Sequence, residues 1–176
     1  RLHKSKGIDL LLEAFADLAL QMENVKLVLV GPDGGFKGDL LKRIVDRNIQ
    51  DKVQFTGLVS ERDKYSAFID SDVFVTPKFY GFPITFAEAC ACGLPIVTTN
   101  AGDYLDWIDD VAGFSTSYAQ AELCNAIYRI LLEDSTRNLF SGQCKHLVTS
   151  RFNWVSITGG LEAVYIHAKA QKGVIC

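Results

Sequence analysis

The sequence has no apolar run approaching the ~18 residues that a membrane-spanning helix needs, and its N-terminus carries no signal-peptide pattern. Both absences point to a soluble domain of cytoplasmic character. Basic clusters are missing too. The 18 Lys and Arg are scattered among 21 Asp and Glu, giving a formal net charge of −3 and a pI near 5.6. Without a basic stripe there is no electrostatic footprint for a phosphate backbone, so no nucleic-acid partner is expected. No CxxC pair occurs among the five cysteines, Cys90, Cys92, Cys124, Cys144 and Cys176. Three of them lie inside apolar helical patterns, so they read as reduced, mostly buried thiols and not as a disulfide framework. The three histidines, His3, His146 and His167, lie far apart with no Cys, Asp or Glu at ligand spacing, and no metal site is expected. Asp109 and Asp110 follow Trp107 in a surface turn and read as solvated, not as a metal clamp. Repeats, low-complexity segments and linkers are also lacking, so the 176 residues are expected to form one domain. An initiator Met is missing as well, and a helix begins almost at once at Ile8; the chain reads as part of something longer.

What is present is a composition fit for a packed core, 48% hydrophobic and 22% charged with a mean hydropathy of +0.12. A chain of this size buries roughly 70% of the surface its unfolded form exposes. Residues 8–20 place Leu11, Leu12, Phe15, Leu18 and Ala19 at helical spacing after Gly7. VKLVLVG at 25–31 is a short β-branched run closed by Gly31 and Pro32, which predicts a buried parallel strand. The pattern then repeats: helix over 38–48, strand over 52–57, helix over 61–70, strand over 72–77, helix over 85–93 and strand over 94–100. A short strand is predicted near 112–115, then helices at about 119–132, 136–149 and 154–171. Asn153 caps the last of these, and Phe152, Trp154, Ile157, Leu161 and Tyr165 make its apolar face. Strands alternating with ten-residue helices define βαβ units. The predicted class is therefore α/β, a Rossmann-like open parallel sheet with helices on both faces.

Ligands of such sheets bind outside the carboxyl ends of the strands. Three loops there are rich in glycine: GPDGG at 31–35, TGLVS at 56–60 and TPKFYGFP at 76–83. The third enters a helix near Ile84, and Gly81 allows close backbone approach. In the stretch Gly81, Phe82, Pro83 and Ile84, the amides at the start of the helix would face a ligand with a favourable dipole, a site suited to a diphosphate. Gly31 and Gly34 either line that cleft from its other side or only set a βα turn. Leu58 and Val59 could sandwich a base by apolar contact. Glu88, one turn into the helix, can accept two hydrogen bonds from vicinal ribose hydroxyls or lie on a solvated helix face.

The segment from Pro77 to Thr99 resembles the donor-site motif of the retaining glycosyltransferases grouped with sucrose-phosphate synthases, glycogen synthases and bacterial mannosyltransferases. Gly81, Phe82, Glu88, Ala89, Ala91, Cys92, Gly93 and Pro95 match the pattern in register. Arg1, Lys6, Gly7, Asp9 and Leu11 match the family's opening motif, FTGLVS its loop over the nucleobase, NAGDYLD at 100–106 its second helix-entry motif, and RFNW at 151–154 its closing F-x-W. Two departures stand out. Tyr80 replaces the Glu that usually precedes Gly81, and Pro83 stands where a second glycine is usual, which removes an amide donor. In the second helix-entry motif, Asp103 replaces a glycine and Asp106 a Glu.

The resemblance implies the donor-binding domain of a two-domain (GT-B) retaining glycosyltransferase, which moves a sugar from a nucleotide-diphosphate sugar to a glycan, lipid or small-molecule acceptor. It assigns Arg1 and Lys6 to charge stabilisation on the departing diphosphate and Glu88 to the ribose. It implies no cofactor beyond the donor itself and no metal clamp in this domain. An acceptor domain would precede this one, and this part alone would be inactive. The expected location is cytoplasmic, with contact to the inner membrane face only through the other half. Two alternatives stay open. A degenerate or stand-alone nucleotide-binding module is suggested by Tyr80 and Pro83; a nucleotide-sugar epimerase fits poorly with the E-A-x-A-C-G block.

Overall fold

A computed structural model describes residues 1–103 and 105–172. Cys176, and Tyr104 within the NAGDYLD segment, lie outside the described residues. Every predicted element is present. After a 3₁₀ turn at Lys4–Lys6 come α1 (Ile8–Gln21), β1 (Leu27–Val30), α2 (Lys37–Asp46), β2 (Val53–Gly57), α3 (Glu61–Ile69), β3 (Phe74–Phe79), α4 (Ile84–Ala91), β4 (Ile96–Gly102), β5 (Gly113–Thr116), α5 (Gln120–Leu132), α6 (Asp134–Ser150) and α7 (Trp154–Lys172). All strand pairing is parallel, in two hydrogen-bonded groups, β1-β2 and β3-β4-β5.

The two groups share one core. Leu29, Val97 and Phe114 are buried together with Leu11, Leu12, Phe15 and Leu18 of α1 and Leu123, Ile127 and Ile130 of α5, and Val75 packs against them. β4 shows how a strand inside a covered sheet is built. Its side chains alternate between faces, so Val97 joins that core while its neighbour Ile96 joins a second one with Phe79, Phe86, Trp107 and Cys144. Both faces of β4 are therefore dry, and the run Ile96–Thr99 is buried throughout.

β1 departs from its expected full burial. Val28 and Val30 are 44% and 38% exposed, and only Leu29 of the strand is buried. The reason lies in α3. Its buried Phe68 packs with Ala89 and Leu94 and sets its ring edge-on against Phe74, so α3 leans on β3 and α4. The outer face of β1 is left without that cover.

Pro77 sits inside β3 and cannot donate to the ladder. The β3–β4 register slips between Thr76 and Lys78 to absorb it, and the strand continues to Phe79 instead of stopping at the proline. The buried Thr99 hydroxyl donates to the Pro77 carbonyl at 2.6 Å, and Thr98 to the Thr76 carbonyl at 2.8 Å. Those side-chain bonds tie β4 to β3 at the bulge.

Asn153 caps α7 as expected, its Oδ1 accepting from the Ser156 amide at 2.9 Å. The expected apolar face of α7 is not buried, however. Phe152 just before it packs on the second core, but Trp154, Ile157, Leu161 and Tyr165 are all exposed. Their spacing is helical, yet no described element lies across them. Cys90, Cys124 and Cys144 are buried and Cys92 is half-buried, all as free thiols. No described helix is long and apolar enough to cross a membrane.

Candidate functional site at the carboxyl edge of the strands

The first seven residues lie along the ends of β1 and β3. Leu2 is buried and pairs with Asp33 in a parallel bridge; its amide donates to the Pro32 carbonyl at 2.8 Å, and the Gly34 amide donates back to Leu2 at 2.9 Å. This places Arg1 on the GPDGG loop. A Cβ at Gly34 would stand 2.7 Å from Arg1 Cγ, and one at Gly31 would stand 2.8 Å from the Arg1 backbone nitrogen. The two glycines thus act by leaving room for Arg1. Their amides have acceptors already, Gly31 in the Gly57 carbonyl and Gly34 in Leu2.

The rest of that loop is a helix cap. Asp33 Oδ1 accepts from the amides of Gly35, Phe36 and Lys37 at 2.8, 3.1 and 3.2 Å. Those bonds favour the charged carboxylate and hold the Asp33 pKa below its ordinary value. Lys6 ends the 3₁₀ turn, its side chain exposed, and Gly7 brings the chain against Pro77 and Tyr118. Among the described residues neither Arg1 nor Lys6 forms an ion pair with a carboxylate. Beside them, Lys78 Nζ stands 5.6 Å from the Tyr80 ring centroid, and the Tyr80 hydroxyl raises the Lys78 pKa. Burial, and then the charge of Asp9, push the Tyr118 phenol up.

The loop after β3 is held from two sides. The Gly81 amide donates to the Asp103 carboxylate, and the Asp103 amide donates to the Phe79 carbonyl at 3.1 Å. The residue that replaces a glycine in the second helix-entry motif is therefore the one occupying the Gly81 donor. Phe82 turns its half-exposed ring onto Phe152 and Trp107, with centroids 5.5 and 6.3 Å away. Pro83 is the N-cap residue of α4 and its carbonyl accepts from the Phe86 amide at 2.9 Å. The amides of Ile84 and Thr85, first in the helix, have no acceptor within it. They are the donors α4 offers to an anion at this edge, and the Ile84 side chain is 67% exposed beside them.

Glu88 is placed on the inner side of α4, and it is paired. Lys64 Nζ of α3 lies 2.9 Å from Glu88 Oε1 and 3.0 Å from Glu61 Oε1. The Lys64 and Glu88 side chains are about four-fifths buried, at 22% and 20% exposure, whereas Glu61 is in water at 80%. The two carboxylates, Glu88 foremost, raise the Lys64 pKa. Leu58 and Val59 stand just before α3, Leu58 at 82% exposure and Val59 half-buried. Ser60 then caps α3, its hydroxyl oxygen accepting from the Asp63 amide at 3.1 Å.

Apart from Lys6 on the 3₁₀ turn, the predicted residues thus fall into three groups at the strand ends: Arg1 with Gly31 and Gly34, the contiguous stretch Gly81–Ile84, and Glu88 with α3 and the Leu58–Val59 segment before it. No direct hydrogen bond or ion pair joins the groups among the described residues. Lys64, Lys78, Asp103 and Tyr118 are neighbours that sequence reasoning did not reach. Asp103 was the nearest to being found, since it already stood out as a departure from pattern. Two shallow hollows, of 290 and 230 Å³, lie elsewhere, beside Asp17 on the α1–α5 side and beside Arg47; neither includes a residue of these groups. The described residues contain no set of three His, Cys, Asp or Glu arranged to hold a metal.

Residues 1–145 match the model of the family described as Glycosyl transferases group 1. The chain belongs to that family. Among relatives, it is 30% identical over 142 residues to the alpha-monoglucosyldiacylglycerol synthase of Streptococcus pneumoniae, covering 78% of this chain and 31% of that protein. Sucrose-phosphate synthase from Thermosynechococcus elongatus superposes with a TM-score of 0.81 at 26% identity, over 97% of this chain and 44% of that one. Anabaena HepE, solved in complex with UDP, gives a TM-score of 0.80 at 23% identity, over 95% of this chain and 47% of that one. The chain therefore spans about a third to a half of the length of these proteins. The fold is that of the group 1 glycosyltransferases, with parallel strands flanked by helices.

Proposed function

We propose that this chain is the donor-binding domain of a retaining glycosyltransferase that moves a sugar from a nucleotide-diphosphate sugar to an acceptor. The observation that carries the reading is the sharing of one strand edge by three kinds of group: the Arg1–Lys6 cations, the free α4 amides of Ile84 and Thr85, and the Glu88 carboxylate on a side chain about four-fifths buried. They match the three parts of a nucleoside diphosphate. Arg1, Lys6 and the amides suit the diphosphate, where negative charge grows as the sugar leaves. Cations and dipoles already fixed at that position lower the barrier without having to reorganise. Glu88 suits the ribose diol and Leu58 with Val59 the base. The family membership and the UDP complex of HepE support the same ligand class.

An exposed strand edge of this kind suits one wall of a cleft. The other wall, with the acceptor site, is then assigned to a preceding domain, since the matched proteins are two to three times as long. Transfer would need both walls, and the enzyme would work in the cytoplasm, touching the inner membrane face only through that other domain. One observation favours a second reading, a nucleotide-binding module without transferase activity: Asp103 holds the Gly81 amide and Pro83 has none to offer.

Calorimetric titration of the chain with UDP, GDP and ADP tests the ligand. Saturable binding of at least one is expected, and the preferred one identifies the base. Failure of all three to bind at millimolar concentration overturns the donor-site reading. Glu88→Ala is expected to weaken binding about tenfold, the loss of a charge-assisted pair of hydrogen bonds. Unchanged affinity would return Glu88 to a structural role.

A further inference from the structure

The Lys64–Glu88 pair joins the helix after the base loop to the helix after the phosphate loop, and neither motif contains Lys64. We propose that Lys64 is a positioning residue for ribose recognition: its ammonium fixes the Glu88 carboxylate so that the protein distinguishes ribose from 2′-deoxyribose. This deepens the donor-site reading and rests on it.

Four observations converge. First, the contact is short and shielded. Nζ lies 2.9 Å from Glu88 Oε1, with both side chains about four-fifths buried, whereas exposed ion pairs hold geometry poorly. Second, the lysine is itself anchored. Glu61 takes another of its donors at 3.0 Å and the Tyr65 ring centroid lies 5.0 Å from Nζ, so the ammonium is held from several sides on one helix. Third, the start of that helix is fixed by the Ser60 cap, directly after Leu58 and Val59, so a base seated there and a ribose at Glu88 are spaced through Lys64.

Fourth, the pairing leaves capacity for a sugar. An ionised carboxylate offers about four lone-pair sites. Lys64 is the one hydrogen-bond donor to Glu88 among the described residues, which leaves enough for two vicinal hydroxyls. A free Glu side chain loses rotamer entropy when it orders around a ligand. Here the ordering is done before the ligand arrives, the kind of pre-organisation that raises affinity. A diol that meets both carboxylate oxygens benefits fully. A 2′-deoxyribose, with a single hydroxyl to give, leaves a desolvated acceptor unpaired.

The test is calorimetry on the full chain with the best-bound nucleoside diphosphate and its 2′-deoxy form, for wild type, K64M, K64R and E88A, each with a thermal melt to show that it is folded. Wild type is expected to prefer the ribonucleotide by about tenfold. K64M should cut that ratio to about twofold, and K64R, which keeps a cation in reach of Glu88, should restore most of it. E88A should lose the preference altogether. A ratio unchanged in folded K64M, with E88A discriminating poorly, overturns the role of Lys64 alone and leaves it a tie between two helices. A ratio unchanged in E88A removes Glu88 from the ribose and Lys64 with it. Wild type that binds no nucleotide overturns the donor site itself.

Discussion

Gly102 is the tightest point of the site edge, and replacing it with alanine is the sharpest test of the strand-end geometry. The residue ends β4 opposite Phe79 with φ at +112°, and an added Cβ would lie 2.1 Å from the Phe79 carbonyl oxygen. Two costs follow. An L residue held at that φ is strained by about 1–3 kcal/mol, and the carbonyl must move away from the methyl, a displacement in a packed region that costs about 1–3 kcal/mol. Part of the second relieves the first, so we expect a loss of about 3 kcal/mol. For a chain of this size that corresponds to roughly 6–12 °C in Tm. Gly142 is the internal control. It lies within α6, and an added Cβ there would have nothing within 4 Å. Gly142→Ala removes a flexible residue from a helix and should stabilise by about 1 kcal/mol. Urea unfolding followed by circular dichroism, with the slope compared across variants, measures both. The reasoning fails if Gly102→Ala lies within about 0.5 kcal/mol of wild type, or if the two substitutions shift stability in the same direction. The carbonyl that must yield is also the acceptor for the Asp103 amide, so the strain should also loosen the Gly81 contact.

Two further outcomes test other parts of the frame. The folded-state pKa of Asp33 is depressed, so its cap stabilises α2 fully above the unfolded carboxylate value and loses that contribution as pH falls through the folded one. The stability gap between wild type and Asp33→Ala should hold from pH 7 to about pH 5 and close only under more acidic conditions, below the ordinary Asp value near 3.9; a gap that widens on acidification contradicts the cap. Phe86 is fully buried with its ring edge-on between Phe74 and Phe79, 5.8 and 5.0 Å between centroids. Phe86→Ala should cost about 4 kcal/mol in the same urea assay, and a cost under about 1 kcal/mol would mean that α4 is not seated on that aromatic layer.

Most elements were legible because β1 to β4 are apolar, largely β-branched runs closed by Gly, Pro or Asn and the longer helices repeat their apolar residues at three and four. Their ends were less so. Pro77 reads as a stop, yet β3 runs through it because the register slips and Thr99 bonds its carbonyl. Periodicity also cannot say what covers a face. The α7 pattern is regular but open to water, and Val28 and Val30 look like core until α3 proves to be drawn toward Phe74 by Phe68. For the candidate site, the motif pointed to Arg1, Gly81 and Glu88 but not to what each of them touches. Lys64 lies 24 residues from Glu88 on a polar helix, where a lysine reads as solvated. Asp103 is 22 residues from Gly81. Such pairs are products of chain crossing and leave no local signal.

The aromatic trio of Phe82, Trp107 and Phe152 has an optical consequence. The chain has two tryptophans, Trp107 at 4% exposure and Trp154 at 79%. One indole emits from an apolar pocket in touch with the Gly81–Pro83 loop, the other from water on α7. Their fluorescence separates by wavelength and by access to dissolved quenchers, so the protein carries, without any label, one reporter of its Gly81–Pro83 loop and one of its bulk solvent.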